Sequence, residues 1–242
     1  MMQRVRRIGF GLFTTLAIVG FAGQAPAADE RFEVSSIKAV KATLIETAAA
    51  IQQGNIPRAK EAFDNYDSAW NGVEVYIGTR SKPMYDKIEL DLQARINKEM
   101  DGPTPDMTKL KADIQEMLAK YDEAIDMVSK GAPLDPLYDD IARLRMVRSH
   151  LREVTPALKA GNIDKARKSY AAFDADWDSI EDLIKARSAD AYVAVEKGMI
   201  QIEQALMADK PDVAQVTALV TAVNTQYNAA LAMVVKEARE KK

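Results

Sequence analysis

Residues 54–89 of this chain recur as residues 161–196, at a constant offset of 107. Twelve of the 36 aligned pairs are identical, where average residue usage gives about two by chance. A chain that carries one segment twice is expected to fold it twice, so the duplication constrains every later inference. The first copy reads Gly54-Asn55-Ile56, then Ala59, Phe63, Tyr66, Asp67, Trp70, Val73, Glu74, Ile77, Arg80, Ser81, Tyr85 and Glu89. The second reads Gly161-Asn162-Ile163, then Ala166, Tyr170, Phe173, Asp174, Trp177, Ile180, Glu181, Ile184, Arg187, Ser188, Tyr192 and Glu196. The apolar members step by three and four, which is one face of a helix. The Gly-Asn pair before it closes one helix and caps the next. Trp70 and Trp177 lie mid-stripe, where a helical core takes its largest side chain.

The same logic divides the rest of the chain. Apolar spacing predicts helices over about 32–53, 56–79, 82–100 and 105–130, and again over about 138–160, 163–187, 189–207 and 211–240. Residues 131–136, Gly-Ala-Pro-Leu-Asp-Pro, are the one clear linker. In the last helix of each copy the offset falls to 106, with Tyr121 matching Tyr227 and Val128 matching Val234. That places the loss of one residue in the turn before it. No alternating strand pattern is present. The expected fold is therefore all-α: a duplicated antiparallel four-helix bundle, eight helices in two pseudo-symmetric bundles. The expected divisions are 1–27, 28–130 for the first bundle, 131–137 for the linker and 138–242 for the second.

Residues 1–27 read as a signal peptide. Arg4, Arg6 and Arg7 precede an apolar run from Ile8 to Phe21, and Ala25-Pro26-Ala27 fits a small-x-small cleavage site. The expected address is the periplasm. Removing three basic residues from 33 leaves 30 against 36 acidic, a net charge near −6. Such a chain is a poor partner for nucleic acid. No other run reads as apolar enough to cross a membrane, so no insertion is expected after cleavage. The absence of cysteine excludes c-type haem, iron–sulfur clusters and thiol catalysis.

No complete catalytic motif appears, and the chain reads as a non-enzyme. The only histidine is His150, in His150-Leu151-Arg152-Glu153. On a helix this puts an imidazole and a carboxylate on one face, half of a metal site or a solvated pair. The acids Asp67, Glu74 and Glu89 recur as Asp174, Glu181 and Glu196. Asp67 and Glu74 border the apolar stripe, where a carboxylate is costly unless paired or bound to a cation. Oxygen-only ligation suits hard cations. The bland alternative is a set of helix-to-helix ion pairs of the Arg80–Glu89 type, inherited by both copies. Tyr66, Tyr85, Tyr121, Tyr170, Tyr192 and Tyr227 read mostly as core.

The segment Lys159-Ala160-Gly161-Asn162-Ile163-Asp164-Lys165-Ala166-Arg167, followed by Tyr170, Asp174, Trp177, Ile180 and Glu181, resembles the imelysin-like (EfeO-type) periplasmic proteins. Similar segments occur in periplasmic helical parts of bacterial high-affinity iron permeases. The resemblance implies paired four-helix bundles, iron uptake, an H-x-x-E metal motif, and a membrane iron permease or another envelope protein as partner. It points to Glu74 and Glu181 as candidate ligands and reaches His150 and Glu153 less directly. Two departures stand out: Val75 and Asp182 replace a proline that often follows the I-E pair, and His150 precedes the repeated segment instead of following it. The expected function is an exported metal-binding protein of the iron-uptake type. The alternative is a helical scaffold that binds another protein without metal.

Overall fold

Repeated helix boundaries come from repeated capping chemistry. A computed structural model describes residues 30–241; the targeting segment lies outside them. Helix α1 (Phe32–Gln52) ends at Gly54 with φ +71°, and α6 (Leu137–Lys159) ends at Gly161 with φ +73°. Only glycine adopts that left-handed conformation without strain. Asn55 and Asn162 then cap the next helices by accepting from the Arg58 and Lys165 amides at 3.1 and 3.0 Å. Those helices are α2 (Ile56–Arg80) and α7 (Ile163–Trp177). Ser81 and Ser188 open the following helices in the same way, and Asp106 and Asp212 open α5 (Met107–Lys130) and α10 (Val213–Glu240).

Among the described residues the chain is all-α and contains no strand. α1 packs on α2 and α5, while α6 packs on α7 and α10, and α10 on α9 (Ala189–Leu206). α2 also lies along α6. Gly72 makes that approach possible: a Cβ there would meet Met146 Cγ at 2.1 Å and the Ala142 carbonyl oxygen at 3.2 Å. The glycine that weakens α2 by its propensity is therefore the one that lets α6 close on it.

The copies depart from the expected helices in two places. In the second, α7 stops at Trp177. A turn over 178–180 follows, then a five-residue helix α8 (Glu181–Lys185). Ser179 Oγ donates to the Asp176 carbonyl at 2.6 Å, a local bond that competes with the helical ladder. The expected single helix over 163–187 is therefore broken, although Ile180 stays buried.

In the first copy, α3 (Lys82–Asp86) runs into a π-helical segment (Lys87–Gln93) and then α4 (Ala94–Asp101) as one continuous helix. Its buried residues Ile88, Leu92, Ile96 and Met100 are spaced by four throughout. Their counterparts on α9, Val195, Met199, Ile202 and Leu206, are spaced by four, three and four. The offset thus changes from 107 to 106 between Leu92 and Ile96. The unmatched residue sits at the end of the π-helical segment, not in the turn before α5. A π-turn is how a helix absorbs one extra residue while keeping its apolar face inward.

α10 corrects a second expectation. By length and composition it is apolar enough to cross a membrane, with a mean hydropathy of 1.2 over its best window. It also supplies a core stripe of Val216, Val220, Val223, Tyr227, Leu231 and Val234.

Candidate functional site

Trp70 and Trp177 are fully buried, and each anchors an aromatic cluster. Trp70 stacks on Tyr66 and Tyr85 and meets Tyr121. Trp177 stacks on Tyr192 and meets Phe173 and Tyr227. Each indole N–H donates to a carboxylate: Trp70 to Glu89, Trp177 to Glu196. The expected Arg80–Glu89 pairing is replaced by this arrangement. Arg80 instead meets Glu33 of α1 at 2.7 Å, and Arg187 meets Asp140 of α6 at 3.7 Å and Glu237 of α10 at 3.1 Å. Glu33 and Asp140 are themselves 107 residues apart, so the ion pair recurs with α1 or α6 as partner.

The clusters differ in polarity. In the second, the Phe173 position carries no hydroxyl, and Tyr227 donates to the Leu144 carbonyl at 2.7 Å. In the first, Tyr66 replaces that phenylalanine. Tyr66 Oη, Tyr121 Oη and Gln93 Oε1 are buried and find no hydrogen-bond partner among the described residues. The Tyr66 and Tyr121 rings meet edge-on at 6.1 Å. Gln93, the polar residue that the π-helical segment turns inward, donates through Nε2 to Asp67.

Burial raises the Tyr66 phenol well above its ordinary value, and the neighbouring Tyr121, Glu89, Asp67 and Glu74 raise it further. Burial also raises the carboxyls of Asp67, Glu74 and Glu89. Arg145 opposes this at Glu74, where it sits at 2.7 Å, and the Trp70 N–H opposes it at Glu89. A low-dielectric interior facing several acids disfavours negative charge on all of them.

The other expected ligands are dispersed. Asp174 is half-buried on α7, whereas Glu181 begins α8, so the helix break removes their i,i+7 relation. His150 faces Asp176 of α7 at 3.5 Å. Glu153 accepts from Ser68 of α2 and, at 3.2 Å, from Ser169 of α7. His150 and Glu153 thus clasp α6 to its neighbours. Among the described residues, no three His, Cys, Asp or Glu side chains converge as a metal-holding group.

A cleft of about 530 Å³ opens where α2 meets α6 and the start of α7. Asp64, Asp67 and Ser68 form one wall, Arg152 and Glu153 the other, with Lys165 at one end. Asp67 therefore faces the cleft while holding Gln93. The sequence reading missed Gln93, Arg145 and the cleft. The only signal for Gln93 was the shift in offset, which becomes specific once the buried positions on both sides of it are known. Comparison with protein-family models, with curated proteins and with solved structures finds no match for this chain.

Proposed function

We propose that the chain is an exported, non-enzymatic binding protein of two pseudo-symmetric antiparallel four-helix bundles, and that the first bundle holds a hard cation of the iron class. The observation that carries this reading is the set of three partnerless buried oxygens, on Tyr66, Tyr121 and Gln93, beside Asp67 and Glu89. Buried polar atoms in native proteins are almost always satisfied, by protein, water or a bound ion. Phenol, carboxylate and amide oxygens are the donors that hard cations take. Each carboxylate keeps free lone pairs after its one hydrogen bond. A bound cation would oppose the burial and the neighbouring acids that raise these groups.

This reading narrows the site to the first copy, where the π-helical segment adds a residue to the repeat. Glu74 stays with Arg145, Glu196 with Trp177, and Glu153 with its two serines. A periplasmic address, which rests on the signal-peptide pattern of residues 1–27, and delivery to a membrane iron permease or another envelope protein, which rests on the sequence resemblance, belong to the same proposal. Titration of the protein with ferric and manganese ions tests it. Tyr66→Phe and Glu89→Gln should each weaken binding at least tenfold, and Glu196→Gln should leave it unchanged. Ferric binding should also bring a phenolate charge-transfer absorption that Tyr66→Phe removes. Equal binding by all three variants would sink the proposal.

The second reading is a scaffold for another protein, and the partnered acids favour it. Glu74 pairs with Arg145, and Glu89 and Glu196 each accept from an indole, without any ion. On that reading the cleft between α2 and α6 is the working surface. A protein that takes up no metal, but loses an envelope partner when Arg152 and Lys165 are reversed in charge, would put the scaffold ahead.

A further inference from the structure

The seam between α1 and α5 in the first copy corresponds to the seam between α6 and α10 in the second. On α1 and α6 the offset is 107, so buried Leu44 and Ile51 correspond to buried Leu151 and Leu158. On α5 and α10 it is 106, so buried Ile114 and Tyr121 correspond to buried Val220 and Tyr227. The same register matches Lys41 with Arg148, and Asp122 with Asn228. In the first copy these two positions form an ion pair: Lys41 Nζ donates to the Asp122 carboxylate. In the second the cation is kept and the acid is lost. Arg148 Nη1 donates to the neutral Asn228 side chain at 2.7 Å, and no described carboxylate forms an ion pair with it.

Two neighbours sharpen the contrast. Asn224, one turn before Asn228, stands where the first copy packs Leu118 against its core. Asn224 Oδ1 and Arg148 Nε are both buried without a hydrogen-bond partner among the described residues. Partnerless buried polar atoms mark a missing partner, such as water or a ligand. Arg152, one turn after Arg148, stands where the first copy has Ile45. It bonds the Asn71 side-chain oxygen at 3.4 Å and has no ion pair among the described residues, although its charge favours an ionised Asp67. Burial first, then Arg152 and Arg145, lower the Arg148 guanidinium, against Tyr227 and Glu74. A half-buried cation crowded by like charge, and without the acid its counterpart has, gains from an anion brought from outside. A guanidinium presents its N–H groups in a planar fork that matches a carboxylate. Residues four apart on a helix have Cβ atoms about 5–6 Å apart, so a short dicarboxylate reaches both arginines.

We propose that the α6–α10 seam binds a small dicarboxylate. One carboxylate rests on Arg148, in the role that Asp122 fills in the first copy, and the other on Arg152. Asn228 is exposed, so the ligand reaches Arg148 without opening the bundle.

Titration calorimetry of the whole protein with succinate tests this, with acetate and inorganic phosphate as comparisons. Succinate should bind at least tenfold more tightly than either, and more weakly as salt is added. Asn228→Asp supplies the missing acid from within. It should weaken succinate at least tenfold and raise Tm in buffer free of carboxylates, with the helical dichroism of the parent. Gln226→Asp adds the same charge to another face of α10 and should leave binding unchanged. Arg152→Gln should bring succinate down to the affinity of acetate. Asp122→Asn in the first copy should leave succinate binding intact, because Ile45 offers no second cation there. No heat with succinate, phosphate bound as tightly as succinate, or equal succinate binding by the Asn228→Asp and Gln226→Asp variants would overturn the proposal.

Discussion

Trp70 donates its indole N–H to the Glu89 carboxylate. The bond ties α2 to the π-helical segment that follows it, across 19 residues, and Trp177 and Glu196 repeat it at the same separation. The indole is thus both the largest core side chain and a donor to a half-buried acid. Its two roles separate by mutation. Trp70→Ala should destabilise the fold by about 3–5 kcal/mol through lost packing. Trp70→Phe keeps most of the ring and leaves Glu89 without its donor, at a cost of about 1–3 kcal/mol. Trp177 should give the same pair of values. Urea unfolding of the four variants measures both roles.

The extra residue in the π-helical segment makes a sharper prediction. Deleting Gln93 would convert the four-four-four spacing of Ile88, Leu92, Ile96 and Met100 into the four-three-four of α9. The shortened chain should still fold, with a loss within the roughly 0.5–3 kcal/mol of ordinary mutations. Deleting Gln115 from the middle of α5, which has no such bulge, rotates every later core position by about 100° and should prevent folding. Far-ultraviolet dichroism and thermal melting distinguish the two deletions.

At the seam between α2 and α6, Gly72 is fixed by space and not by backbone conformation. Alanine there would gain roughly 1 kcal/mol of helix propensity. It would also press a methyl group against the Met146 side chain and the Ala142 carbonyl. Overpacking of this kind costs about 1–3 kcal/mol, so the net effect should be a lower Tm. Gly72→Ala with Met146→Ala should recover part of it, because the closest obstruction is a side chain.

The acids around Tyr66 set a pH dependence. Burial raises the carboxyls of Asp67, Glu74 and Glu89 above their ordinary values. A carboxyl raised by folding stabilises the native state fully below its unfolded value, near 4. That contribution is lost as pH rises through the folded value. These three acids therefore make the fold less stable at neutral than at mildly acidic pH. Glu89→Gln should flatten the stability profile between about pH 4 and 7, and raise Tm most at the upper end. A profile unchanged by the substitution would remove Glu89 from this account.

The helices, their caps and both tryptophan anchors were legible because each rests on a local rule: Gly-Asn at a boundary, serine before a helix, apolar residues every three or four. The break at 178–180 was harder to see, because Ile180 continues the apolar stripe. The Ser179 hydroxyl, bonded to the Asp176 carbonyl, competes with the helical ladder there. The partners of the charged residues were not legible. Arg80 has acids within reach on several helices, and the sequence does not state which helix lies beside it. Glu89 looked like its partner by proximity in the chain, yet the fold gives Glu89 to an indole and Arg80 to Glu33. The candidate site was hidden for the same reason. Its oxygens come from three separate helices, and what makes them a site is the one residue out of register with the repeat.

Tyr66 offers the most direct test of that site, because the second copy already carries its variant. Phe173 stands at the equivalent position and packs against Trp177 and Tyr227 without a hydroxyl. If the Tyr66 hydroxyl is unsatisfied in the cation-free protein, removing it relieves a desolvation penalty of about 1–3 kcal/mol. Tyr66→Phe should then be more stable than the parent in the presence of a chelator. If buried water satisfies it, the same substitution should destabilise instead. Adding ferric ion separates the cases further. A ligand that binds only the native state stabilises it by an amount that grows with its concentration over its dissociation constant. The parent should gain Tm with added ferric ion and Tyr66→Phe should not, so the order of stability should invert. Parallel curves for the two proteins, with and without the ion, would return Tyr66 to the core and leave its hydroxyl to water.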